Sequence, residues 1–120
     1  MVSEDVDLVV TVDCGISNIE EVRWLREQGV DVVVTDHHMP LDILPDANFI
    51  INPKVDSSRY KNVAGVGVAF LLAAAINNGL GEKIDIRGYL DLVALGTIAD
   101  VVPLDIDNRI LVKKWSFAAF

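Results

Sequence analysis

Five residues of this chain have the types and placement for metal-assisted chemistry: Asp13, the run Asp36-His37-His38, and Asp100. Carboxylate oxygens and imidazole nitrogens together make a ligand set for a divalent metal ion. The run closes a segment with four valines in five positions (Val30, Val32, Val33, Val34), a composition that favours buried β-strand. Apolar burial gives no reason for a carboxylate and two imidazoles in succession. Polar groups at the carboxyl end of a strand lie where open α/β sheets bind ligands. The stretch therefore reads as half of a metal site.

Each candidate has a plainer alternative. Asp13, shortly before Gly15, reads by itself as a turn or helix-capping carboxylate. With histidines beside it, it reads as a ligand, and a carboxylate between two cations bridges them as two-metal phosphoryl-transfer sites require. His37 and His38 would otherwise be a surface pair, or one core histidine bonded to backbone. Adjacent residues of an extended chain point in opposite directions, so one imidazole is expected to ligate and the other to face substrate. Asp100 interrupts the apolar segment 95–102, where a carboxylate is costly unless paired or metal-bound. The alternative is a helix-end carboxylate facing water. Gly65 and Gly67 open an apolar helix, and serve either phosphate binding at its amino terminus or tight packing. Cys14 lacks an activating partner and is expected to be a small buried side chain. Trp24, Trp115 and the phenylalanines read as packing residues, and neither a Ser/His/Asp hydrolase elbow nor a Cys-x-x-Cys zinc pattern is present.

The elements that must position these residues follow from the pattern. Residues 8–12 form a first strand, closed by Asp13-Cys14-Gly15. Ser17 and Glu20 have capping-box spacing, Ile19, Val22 and Leu25 recur at helical spacing, and Gly29 ends the helix. The valine strand follows at once. Such a βαβ unit is parallel and right-handed. Parallel strands end on the same edge, so Asp13 and Asp36-His37-His38 are predicted to emerge side by side, each directly after its strand's last buried residue. Beyond Pro40 comes a polar loop, then a short strand at 49–51, stopped by Asn52-Pro53. Residues 55–62 read as exposed, 64–76 as a buried helix ended by Asn77-Asn78-Gly79, 86–98 as a second helix, and 108–114 as the start of a third.

At 120 residues the chain has the size of one domain, and 52% apolar residues with a mean hydropathy of +0.39 favour a mostly buried parallel sheet or a piece cut from something larger. No apolar run reaches the roughly 18 residues of a membrane span, and the nearest, 63–76, is too short and contains two glycines. The acidic amino terminus does not resemble a signal peptide. A single cysteine rules out an internal disulfide and fits a reducing, cytoplasmic setting. Ten basic against eighteen acidic residues, net −8, leave no electrostatic footprint for phosphate backbones. Clustered carboxylates do attract divalent cations, which carry anionic substrates with them, although a negative surface also simply keeps a protein soluble. A basic groove for nucleic acid must lie outside these residues.

Asp36-His37-His38 resembles the name-giving motif of the DHH phosphoesterases. Val12-Asp13-Cys14-Gly15 is similar to the family's preceding aspartate motif. Gly96-Thr97-Ile98-Ala99-Asp100-Val101-Val102-Pro103-Leu104 is similar to its following motif, in the form found in the family's single-strand-specific 5′-to-3′ DNA exonucleases. The family's inorganic pyrophosphatases and oligonucleotide phosphatases carry a different sequence there. The resemblance implies a three-layer α/β fold with a parallel sheet, and two Mn²⁺ or Mg²⁺ ions activating a water that attacks a phosphodiester. A mixed oxygen and nitrogen ligand set is independently consistent with Mn²⁺. It further implies that Asp13 bridges the ions, that His37 and Asp100 ligate one of them, and that His38 contacts the scissile phosphate or assists the leaving group. Asp36 would orient a histidine. Single-stranded DNA would be the partner of the complete protein, in DNA repair and recombination.

The sequence departs from the family pattern in three places. The family's first motif, His-x-Asp-x-Asp, is absent; Leu71 stands where a basic residue is expected; and residues 114–120 do not continue the pattern. The expected organisation is thus a partial DHH phosphoesterase domain over 1–113, without its first metal motif, and a divergent tail over 114–120, not catalytic alone. The rival from another class is a non-catalytic interaction module that keeps the fold. A phosphate-receiver-like domain using Asp13 leaves the histidine pair unexplained.

Overall fold

The structure, a computed structural model, describes residues 6–56, 58–81 and 84–116. In chain order the elements are β1 (Leu8–Val12), α1 (Ile19–Glu27), β2 (Asp31–Thr35), β3 (Phe49–Ile51), α2 (Gly65–Gly79), a 3₁₀ turn (Ile86–Tyr89), α3 (Leu90–Ala99) and α4 (Ile106–Ser116). The three strands form one parallel sheet in the order β1-β2-β3, the α/β architecture expected.

Register divides the side chains between two faces. Val9 pairs with Val32, Thr11 with Val34, and Val34 with Ile50, so these share a face. Val22 and Leu25 of α1 cover it, and Val22, Val32 and Val34 are buried. Each such valine contributes roughly 1.5–3 kcal/mol through removal from water. On the opposite face Ile51 lines a small cavity with Val63 and with Val68 and Leu71 of α2, so helices lie on both sides. The cover is uneven. Among the described residues β1 is an edge strand, and Leu8, Val10 and Val12 remain about half exposed. Val12 is therefore a half-exposed strand end rather than a buried one, because α2 covers that side of β1 only in part.

Two helices differ from the sequence reading. The N-cap of α1 is Asn18 rather than Ser17, and no side chain caps it. The amide of Asn18 bonds to the carbonyl of Gly15, a turn that leaves Ser17 outside the helix, while Glu20 pairs with Arg23. Gly29 does end α1, at φ 79°. α2 is apolar all round, yet only Gly65, Gly67 and Val68 are buried in it, and Leu71 and Ile76 are exposed. The expected buried helix is thus buried only at its start, where it meets β1 and β2.

The helix expected over 86–98 is the 3₁₀ turn continued by α3, and α4 begins two residues earlier than expected. Asp105 sets that start, its Oδ1 accepting from the amides of Asp107 and Asn108. The predicted tail boundary at 114 falls within α4; residues 117–120 lie outside the described residues. Among the described residues no helix is long and apolar enough to cross a membrane.

Candidate metal centre

Val12 is paired with Thr35, so the residues after them leave the sheet at the same level. The amide of Asp13 bonds to the Thr35 carbonyl at 3.0 Å, and that of Asp36 to Ile51 at 3.1 Å. Asp13 then turns the chain off the strand with φ 64°. Its Oδ1 lies 3.1 Å from Nε2 of His37. Asp100 arrives from the carboxyl end of α3, and its Oδ2 lies 3.3 Å from the same nitrogen. The predicted convergence of Asp13 with the histidines is present, and Asp100 joins it.

Close helix packing makes this meeting feasible. A Cβ on Gly96 would come within 2.7 Å of Val66 Cγ1, so glycine lets α3 approach α2. A Cβ on Gly65 would collide with the Asp13 carboxylate. Val101, directly after Asp100, has φ 55°. Among the described residues Asp13 and Val101 are the only non-glycine residues in the left-handed region, which is unfavourable for a β-branched side chain. Asp13 itself and Asp100, the residue before Val101, lie against the same imidazole nitrogen. Asp13, Gly65, Val66, Gly96 and Asp100 line a cleft of about 320 Å³.

His37 is buried, and its Nε2 makes no oriented hydrogen bond despite the two carboxylate oxygens beside it. A buried nitrogen without a bond is costly. The pattern fits a metal ion. Two ligand atoms each about 2.1 Å from one ion and at right angles stand about 3 Å apart, close to the 3.1 and 3.3 Å seen. Asp13, His37 and His38 also offer ligand atoms within 4.8 Å of one another. The donor set suits Mn²⁺ or a similar divalent ion.

Asp36 faces inward instead. Its Oδ2 accepts from the Ile16 amide, and its Oδ1 from the amides of His37 and His38 and from the His38 ring at Nδ1, 2.7 Å away. Burial works against ionisation, but the Ile16 and His38 amides, the His38 ring and the His37 amide outweigh it and hold the carboxyl below the usual carboxylate range. An ionised carboxylate only accepts, so His38 donates from Nδ1 and keeps Nε2 free. The two histidines differ in burial, with side-chain exposures of 8% for His37 and 57% for His38. They do not point in opposite directions as extended chain would require. Strand β2 ends at Thr35, and their ring centroids are 4.4 Å apart.

Gly67 is not brought into the cleft: it is buried, and a Cβ there would strike Val63, so its role is packing. Cys14 is exposed rather than buried, because the left-handed turn at Asp13 carries it out of the sheet. Sequence reasoning missed Asn52 and Asn108, both fully buried. Asn108 donates to the carbonyls of Asn62 and Pro103, tying the loop after Asp100 to the segment before α2. An asparagine two residues before the apolar run Ile110-Leu111-Val112 was the available signal.

The model of the DHH family, N-terminal domain, matches residues 1–97. The chain is similar to the single-stranded-DNA-specific exonuclease RecJ of Haemophilus influenzae, 46% identical over 92% of this chain and 21% of that protein. RecJ of Thermus thermophilus is 47% identical over 90% of this chain and 16% of that protein. Among solved structures, exonuclease RecJ bound to manganese superposes with a TM-score of 0.80 at 47% identity, covering 91% of this chain and 28% of that one. RecJ of Thermus thermophilus in complex with Mn²⁺ gives the same score and identity, covering 16% of its chain. This chain spans about a fifth of the length of these curated relatives.

Proposed function

We infer the function from kinship joined to geometry: the chain belongs to the DHH family. It is part of the catalytic domain of a metal-dependent phosphodiester hydrolase of the RecJ type, acting 5′ to 3′ on single-stranded DNA in the complete protein. The observation that carries this reading is the buried Nε2 of His37, without an oriented hydrogen bond and within 3.3 Å of two carboxylates from different elements.

In this reading Asp13, His37 and Asp100 would hold divalent metal, Mn²⁺ or Mg²⁺, in a two-metal site. Bound there, the ions supply an activated water and neutralise charge on the phosphate. Asp36 keeps the His38 ring in one tautomer and orientation through its 2.7 Å contact at Nδ1. His38 then presents Nε2 to the scissile phosphate or the leaving oxygen. Gly65 lets the Asp13 carboxylate lie against the start of α2, where a Cβ would collide with it. The single cysteine suits a reducing, cytoplasmic setting.

The net charge of −8, which gives no footprint for a phosphate backbone, favours a second reading, a non-catalytic interaction module of the same fold. Calorimetric titration of this chain with Mn²⁺, beside its Asp13→Ala variant, separates the two. Binding that the substitution removes supports the hydrolase site. A folded chain that binds no Mn²⁺ supports the module.

A further inference from the structure

We propose that Asn52 is a positioning residue for His38, an inference that rests on the role just given to His38. Asn52 directly follows β3, whose Ile51 is level with Thr35 of β2, so its side chain reaches the residues that leave β2. It is fully buried, and both ends of its carboxamide are used. Nδ2 donates to the His38 carbonyl at 3.0 Å, and Oδ1 accepts from the Lys54 amide at 2.9 Å. A buried amide is tolerated only when so bonded.

His38 has few other restraints. Its side chain is 57% exposed, so packing does not fix the ring. On its amino-terminal side Asp36 holds both its amide and Nδ1. On its carboxyl side, among the described residues, no hydrogen bond anchors residues 39–47, and Met39 and Leu41 are exposed. Among the described residues the Asn52 bond is thus the one tie beyond His38 that keeps its peptide, and with it the ring, aligned on Asp36. Asn52 touches no ion or substrate; it acts through His38.

The chain contains only two histidines, so imidazole ¹⁵N spectra of the whole chain resolve the question. In the wild type, His38 should show one fixed tautomer, protonated at Nδ1, and a coupling should link Asn52 Nδ2 to the His38 carbonyl carbon. Asn52→Asp keeps the acceptor for Lys54 but removes the donor to His38. It should move the two His38 ring nitrogens toward an averaged pair of shifts while the His37 signals stay in place. Asn52→Ala should do the same. A His38 spectrum unchanged in Asn52→Asp would overturn the proposal and leave Asn52 a role in the Pro53-Lys54 turn alone. Should both variants fail to fold, absence of the wild-type coupling would overturn it instead. Added Mn²⁺ tests the metal centre separately. Broadening of His37 supports that centre, whereas a sharp His37 refutes it without touching the tautomer comparison.

Discussion

Oδ1 of Asp13 lies 3.1 Å from Nε2 of His37, although the two residues belong to the ends of different strands. Their meeting is a consequence of parallel register. Val12 and Thr35 are partners, so Asp13 and Asp36 leave the sheet together, and His37 is the next residue along. The left-handed turn at Asp13 converts adjacency of backbone into approach of side chains. Two carboxylates then face one buried imidazole nitrogen, an arrangement whose mutual repulsion a cation relieves.

That geometry predicts the outcome of removing single ligands. His37→Ala should weaken Mn²⁺ binding by at least about tenfold, equivalent to about 1.4 kcal/mol. Cys14→Ser should leave affinity within about twofold, a change of a few tenths of a kcal/mol, because the Cys14 thiol is exposed and outside the ligand group. Calorimetry on both variants measures this. Equal losses would show that the ligands are misassigned.

Much of this site was legible because βαβ topology leaves little freedom. The bounds of β1 and β3 coincide with the runs read from the sequence, and the edge on which Asp13 and the histidines emerge follows from parallel pairing. What escaped depends on cover and on local turns. The apolar periphery of α2 does not reveal that only its first residues meet the sheet. The N-cap at Asn18 depends on a turn to Gly15, and the exposure of Cys14 on the left-handed Asp13. Asn52 looked like a strand stop, since its partner, the His38 carbonyl, is fourteen positions away and carries no side-chain signal.

Gly65 should be sensitive for a reason specific to the site. A Cβ there collides with the Asp13 carboxylate, so Gly65→Ala should displace a ligand and cut Mn²⁺ affinity by about tenfold, or 1.4 kcal/mol. Gly79→Ala meets nothing within 4 Å at the other end of α2 and should leave affinity unchanged. Comparable affinities in the two variants would remove Gly65 from the site.

Val101 offers a test of strain. It is 87% exposed and sits at φ 55°, so its side chain contributes little packing while its backbone is unfavourable. Glycine adopts this conformation freely but gives the unfolded chain more freedom. The net expectation for Val101→Gly is stabilisation by roughly 0.5–1 kcal/mol, read from urea denaturation midpoints. A destabilised variant would mean that the Val101 side chain makes stabilising contacts.

Asp105 links acid stability to a part of the fold away from the metal ligands. The Asn108 amide, the Asn62 carboxamide and the Asp107 amide hold its carboxyl below the ordinary value, against a smaller opposing effect of burial. A carboxyl depressed in the folded state binds fewer protons there than in the unfolded chain, so its contribution is complete above the unfolded value of about 3.9. That contribution is lost as pH falls through the folded value. Asp105→Ala removes the N-cap of α4 and should cost about 1 kcal/mol at pH 7. The gap between wild type and variant should shrink as pH falls below about 4. Urea unfolding at a series of pH values measures both. A gap that stays constant into acid would show that the carboxylate charge is not what stabilises the cap.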